Sequence, residues 1–157
     1  MPDLREHYFA ERKFFDLVKQ PKLRGGSLED ASGQRLVPSA FRSSLIDRVE
    51  AAWVKPYAQL TCHEVCCMVG QKMILDWFAA PVLEFVERYP AADCGYFPGD
   101  MLKNFLAGAD EVAAVIPKEF KAWANSDLEA LEPIFEWSRP ALREFKEAID
   151  HVRRVAA

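Results

Sequence analysis

Residues 61–106 read TCHEVCCMVGQKMILDWFAAPVLEFVERYPAADCGYFPGDMLKNFL, and their spacing decides the fold class. Thr61 and Glu64 form a capping box, in which each side chain satisfies a free amide at a helix start. Behind it Cys62, Cys66, Val69, Met73 and Trp77 share one face at about 100° per residue. A nearly continuous apolar helix is therefore expected from Thr61 onward. Pro81 is expected to start a further helix with Val82, Phe85 and Val86 on its apolar side, and Tyr89-Pro90 to stop it. After the tight turn Phe97-Pro98-Gly99-Asp100, the residues Met101, Leu102, Phe105 and Leu106 mark a short helix.

Toward the N-terminus, Leu4, Tyr8, Phe15 and Val18 recur at roughly helical spacing, predicting a first helix over residues 3–19 that Gln20-Pro21 ends. Residues 21–38, with three glycines and two prolines, read as a long loop. Ser39 is the expected cap of the next helix, because Phe41, Leu45, Val49 and Trp53 follow at four-residue intervals. Toward the C-terminus, Ser126 and Glu129 suggest a second capping box. Ser138 with Pro140 starts a last helix with the stripe Leu142, Phe145, Ile149 and Val152. No segment alternates with period two. The expectation is an all-α, compact single-domain bundle of seven or eight helices over residues 1–157, with N-terminal helices in 1–60 and a helical core in 61–157.

At 157 residues and 17.9 kDa the chain can bury a core without disulfides or metal. Three of its four cysteines crowd at Cys62, Cys66 and Cys67, which is not the spaced framework of a secreted disulfide fold, so reduced and buried thiols are expected. The opening MPDLREHYFAERKFF has charges in every turn and no apolar signal core, and no uncharged run reaches the roughly 18 residues of a membrane span. A cytoplasmic protein without a membrane partner is expected. Residues 1–60 hold 10 Lys and Arg against 8 Asp and Glu, residues 61–157 hold 10 against 16, and within 76–136 the balance is 4 against 12. Such a field repels nucleic acid and favours cationic protein surfaces.

Cys62, His63, Cys66 and Cys67 could give two or three metal ligands from one helix, but a structural zinc takes four in tetrahedral order. Cys94 sits before Gly95 with no second Cys-x-x-Cys pair, so no metal and no cofactor are expected. His63 and Cys67 could pair as base and thiol, yet both stand on one helix turn without an orienting Asn or Asp. No catalytic residue is assigned, and His7 and His151 read as surface histidines. The alternatives are a Cys/His metal site or thiol enzyme on the 61–79 helix, and a self-associating helical module. Gly70 interrupts a strong helix at about 1 kcal/mol against alanine, which implies close packing of a neighbouring element. Arg24-Gly25-Gly26-Ser27 is too short for a phosphate loop. The carboxylates Glu84, Glu87, Asp93 and Asp100 lack the spacing of an acid–base pair or a calcium loop.

Glu64-Val65, Val69-Gly70-Gln71, Pro81-Val82-Leu83-Glu84, Tyr89-Pro90 and Tyr96-Phe97-Pro98-Gly99-Asp100-Met101-Leu102 together resemble small immunity proteins of bacterial contact-dependent growth inhibition systems. The resemblance covers residues 61–106, and its most specific parts are Gly70-Gln71 and Pro98-Gly99-Asp100. It implies a non-enzymatic protein that protects the producing cell by binding a cognate toxin domain. The family pattern often has a glycine shortly after the glutamine, where this chain has Lys72-Met73-Ile74-Leu75. On this reading Glu84, Glu87, Asp93, Tyr96 and Asp100 are the candidate partner-binding residues, with Trp77 a further aromatic anchor that also lies on the core stripe.

Overall fold

The computed structural model describes residues 3–23, 25–36 and 43–157. Its helices run in the order α1 (Leu28–Ser32), α2 (Ser44–Val54), α3 (Cys62–Gly70), α4 (Leu75–Arg88), α5 (Asp100–Ala107), α6 (Ala109–Val115), α7 (Pro117–Ala124) and α8 (Arg139–Ala156). Short 3-10 segments lie at Phe14–Asp16, Tyr57–Gln59 and Leu128–Phe135. The fold is all-α: among the described residues there is no strand, only isolated bridges at Tyr8, Lys13, Thr61, Asp93 and Pro98. No helix among them is long and apolar enough to cross a membrane.

Local chemistry explains where these helices begin. The Thr61 hydroxyl accepts from the Glu64 amide at 3.2 Å while the Glu64 carboxylate accepts from the Thr61 amide at 3.0 Å, completing the capping box of α3. Ser43 caps α2 by accepting from Ile46, and Ser138 caps α8 by accepting from Ala141. Ser39 and Phe41, expected to open the second helix, lie outside the described residues. The expected loop at 21–38 contains the one-turn helix α1, capped by Ser27.

The apolar helix does not continue from Thr61 to Trp77. Lys72 adopts φ +55°, the Lys72 amide bonds the Val69 carbonyl at 2.9 Å, and the Met73 amide bonds the Met68 carbonyl at 3.1 Å. This pair of bonds is a Schellman stop, with lysine in the left-handed position that glycine usually takes. The chain then restarts at Leu75, so Pro81 lies inside α4 and does not start a helix. Its missing N–H removes one internal hydrogen bond.

Residues 3–19 are not a helix. They form an irregular arm, with a 3-10 turn at Phe14–Asp16, whose backbone also reaches distant partners: Phe9 donates to Asp93, Asp93 donates to His7, and Phe14 donates to Leu60. The carbonyls of Arg12 and Ala10 accept from Cys62 and His63, satisfying amides at the start of α3 that no helical carbonyl can reach. Phe14 is fully buried and Phe9 nearly so, while Tyr8, placed on the expected stripe, is 71% exposed. His7 stacks on Phe9 at 4.9 Å and is half-buried, so it is not the surface histidine expected.

One apolar cluster joins the arm, α2 to α8 and the 3-10 segment Leu128–Phe135. Phe105 on α5 meets Trp123 on α7 edge-on at 5.2 Å, and Phe135 stacks on Phe145 of α8 at 4.5 Å. Phe145, Ile149 and Val152 are the buried stripe of α8, with Leu142 at its margin. Gly70 has the close neighbour its cost implied: a Cβ there would stand 3.0 Å from the Asn104 amide nitrogen, which donates to the Cys66 carbonyl at 3.1 Å. The second capping box does not form. The Ser126 hydroxyl turns back to the Trp123 carbonyl, and Glu129 pairs with Arg153 of α8.

Replacing Lys72 by glycine relieves the left-handed backbone at the Schellman stop. Stability is expected to rise by about 0.5–1 kcal/mol, since the lost exposed contact with Glu111 at 3.7 Å is worth little. Chemical denaturation of the two proteins checks this, and a less stable variant would contradict the assigned stop.

Candidate partner interface

The turn Phe97-Pro98-Gly99-Asp100 leads into α5 through a buried carboxylate. Asp100 is 1% exposed. Its oxygens accept from the amides of Cys94 at 3.0 Å, Tyr96 at 3.1 Å, Phe97 at 3.4 Å and Met101 at 2.7 Å. Burial pushes its pKa up and these four bonds pull it back, burial being the larger influence. Asp100 is therefore an internal clamp and not a surface group, which corrects its place among the solvent-facing candidates. Gly99 completes the turn with φ +85°, and a Cβ there would lie 2.6 Å from Ile134 Cγ2.

The clamp presents Tyr96, which is 51% exposed. Its hydroxyl lies 3.0 Å from the Cys67 sulfur and its ring 5.0 Å from that of His63. The bond to Cys67, followed by burial, pushes the phenol up to about 12. His63 Nδ1 faces the Cys94 carbonyl at 2.8 Å and Nε2 faces Arg48 Nη1 at 3.1 Å. A carbonyl only accepts and a guanidinium only donates, so these partners assign a neutral ring with its proton on Nδ1.

That assignment bears on the thiol-enzyme alternative. Cys67 lies 3.7 Å from His63 Nε2, whose lone pair is already engaged by Arg48. The thiol is 4% exposed, and burial pushes its pKa up, away from a thiolate. Cys62, Cys66 and Cys94 are fully buried, and Cys94 is pushed up by hydrogen bonds to the other two thiols and by burial. Among the described residues no group of three or more His, Cys, Asp and Glu is placed to hold a metal ion.

The remaining acidic candidates have different roles. Glu84 on α4 is half-buried, accepting from the Lys19 amide at 3.1 Å and from Arg88 at 3.3 Å. Asp93 accepts from the Gly95 amide at 2.7 Å while its backbone holds the N-terminal arm. Glu87 is exposed and makes no hydrogen bond or ion pair among the described residues, and partial burial followed by the nearby Glu84 raises its pKa. Trp77 packs edge-on against Trp53 at 6.4 Å. Tyr8, expected on an apolar stripe, is 71% exposed, and two residues that carried no expectation, Trp137 at 66% and Glu119 on α7, are exposed as well. For Glu119 the available signal was its position between Ile116 and Trp123 at helical spacing.

The sequence profile of a family described as CDI immunity proteins matches residues 32–122. This is more than half of the chain, which therefore belongs to that family. No curated protein and no solved structure matches the chain.

Replacing Asp100 by alanine leaves four amides without their acceptor. Stability is expected to fall by about 2–4 kcal/mol, with asparagine intermediate because it retains one acceptor oxygen. Denaturant unfolding measures this. An alanine variant as stable as the parent would remove the clamp from the description of this loop.

Proposed function

We propose that this CDI immunity protein acts in the cytoplasm, where it binds a cognate toxin domain stoichiometrically and neutralises it by occlusion. The observation that carries this reading is the family match over residues 32–122, which takes in the clamped loop and the whole of α4. A binder suits the site better than a catalyst does, because the imidazole and thiol nearest each other are both engaged and the thiol is covered.

Electrostatics supports a cationic partner. Asp76, Glu87, Glu119, Asp127 and Glu136 are exposed within the stretch where 12 acidic residues face 4 basic ones. A field of that sign speeds encounter with a positive protein surface over roughly one Debye length, about 8 Å at physiological salt. Glu84, Glu87, Asp93 and Tyr96 are the proposed contact residues, with Asp100 supporting Tyr96 from beneath. The buried, unpaired thiols suit a reducing compartment.

The test uses the cognate toxin domain, to be sought in the reading frames that adjoin this chain's gene. The purified chain is expected to form a stoichiometric complex with it and to abolish its toxicity on co-expression. Stopped-flow association should slow by about tenfold or more between roughly 0.05 and 0.5 M salt. A salt-independent rate would remove the steering. Toxicity undiminished by the chain, with no complex formed, would remove the function.

A further inference from the structure

Between the C-terminal half of α4 and α7 runs an open trough of about 530 Å³, floored by Leu83, Ile116 and Trp123. Its rim carries Glu84, Glu87 and Glu119. Arg88 is the one cation among the lining residues, and it is already committed, donating to the Leu17 carbonyl at 2.9 Å and to Glu84 at 3.3 Å. Glu87 and Glu119 have no hydrogen-bond or ion-pair partner among the described residues. A second concavity of about 230 Å³ shares Glu87 and Trp123 with the first and adds Asp127 on the rim, so the trough continues past the end of α7. An apolar floor under an unneutralised acidic rim complements a guest that is apolar on one side and basic at its flanks.

Shape narrows the guest further. Both walls are helices whose backbone groups are bonded internally, so the trough offers no edge for an added strand and must be read through side chains. Along α4 from Ala80 to Arg88 it runs about 12 Å, the length of roughly two helical turns. We infer that the α4–α7 trough seats a basic amphipathic helix of the toxin domain, with its apolar stripe over Leu83 and Trp123 and its Arg or Lys side chains meeting Glu87 and Glu119. This inference rests on the proposed toxin-binding function. A second copy of the chain is a poor guest. Its trough would repel another, and the apolar stripe of its basic helix α8, namely Phe145, Ile149 and Val152, is spent in its own core.

The experiment measures the affinity of the full chain for that same cognate toxin domain. One variant reverses charge on the rim (Glu87→Arg with Glu119→Arg). A second fills the trough without changing charge (Ala122→Trp). A control reverses charge elsewhere (Glu147→Arg with Asp150→Arg, both on α8). All five positions are exposed, and circular dichroism with thermal melting confirms folding. Conservative Glu87→Gln with Glu119→Gln replaces the rim variant if that one melts early. The rim and trough variants are each expected to weaken binding by about 100-fold, and the control by about threefold or less. If the parent chain binds the toxin and both trough variants bind within about threefold of it, the trough inference falls while the function stands. Losses as large in the control would also overturn it, assigning the effect to net charge. If the parent chain does not bind, the proposed function itself fails.

Discussion

The carboxylate of Asp100, buried and accepting from four backbone amides, is the constraint on which the rest of the structure depends. It folds residues 94–99 back over the start of α5. The carbonyl of Cys94 is thereby placed against His63, and the backbone of Asp93 is placed where the N-terminal arm can pair with it. The arm in turn gives the carbonyls of Ala10 and Arg12 to the first amides of α3. Helix α3 closes the circuit on α5, where Asn104 reaches over Gly70 to the Cys66 carbonyl. Each link satisfies a polar backbone group that would otherwise be buried without a partner, a defect costing about 1–3 kcal/mol. Weakening one link exposes groups in the next.

What was legible in the sequence is what is local. The Thr61 capping box, the short helix after Gly99 and the final helix from Ser138 each depend on residues within a few positions of one another, and each forms as its spacing predicted. The N-terminal arm was not legible, because its hydrogen-bond partners lie at Leu60, Cys62, His63 and Asp93 and leave no periodic trace in residues 3–19. The break at Lys72 was hidden for a related reason. A Schellman stop announces itself through glycine, and here a lysine holds the left-handed conformation. With the stop unseen, Pro81 read as a helix start, although it occupies the interior of α4.

The site was legible in its charge and not in its placement. A count of carboxylates cannot separate Asp100, enclosed by amides, from Glu87, exposed and unpaired earlier in the chain's acidic stretch. Nor can it distinguish Glu84, which is tied to Lys19 and Arg88. Glu119 and Trp123 join Glu87 only because α6 packs on α4 and sets α7 across the trough, a neighbourhood that tertiary structure creates. His63 and Cys67 were correctly read as sharing a helix edge. Arg48 and the Cys94 carbonyl, supplied from other parts of the chain, then fix the imidazole in a form that leaves the thiol unassisted.

The proposed mode of action is the presentation of a fixed acidic face, centred on α4 and α7, to a toxin domain. Hydrogen exchange followed by mass spectrometry, comparing the free chain with the chain saturated by the toxin domain, tests it most directly. The expected result is slowed exchange over residues 80–96 and 116–128, with α8 unchanged. A bound complex whose protection falls on α8 or α2, and leaves the α4–α7 face as in the free protein, would contradict it.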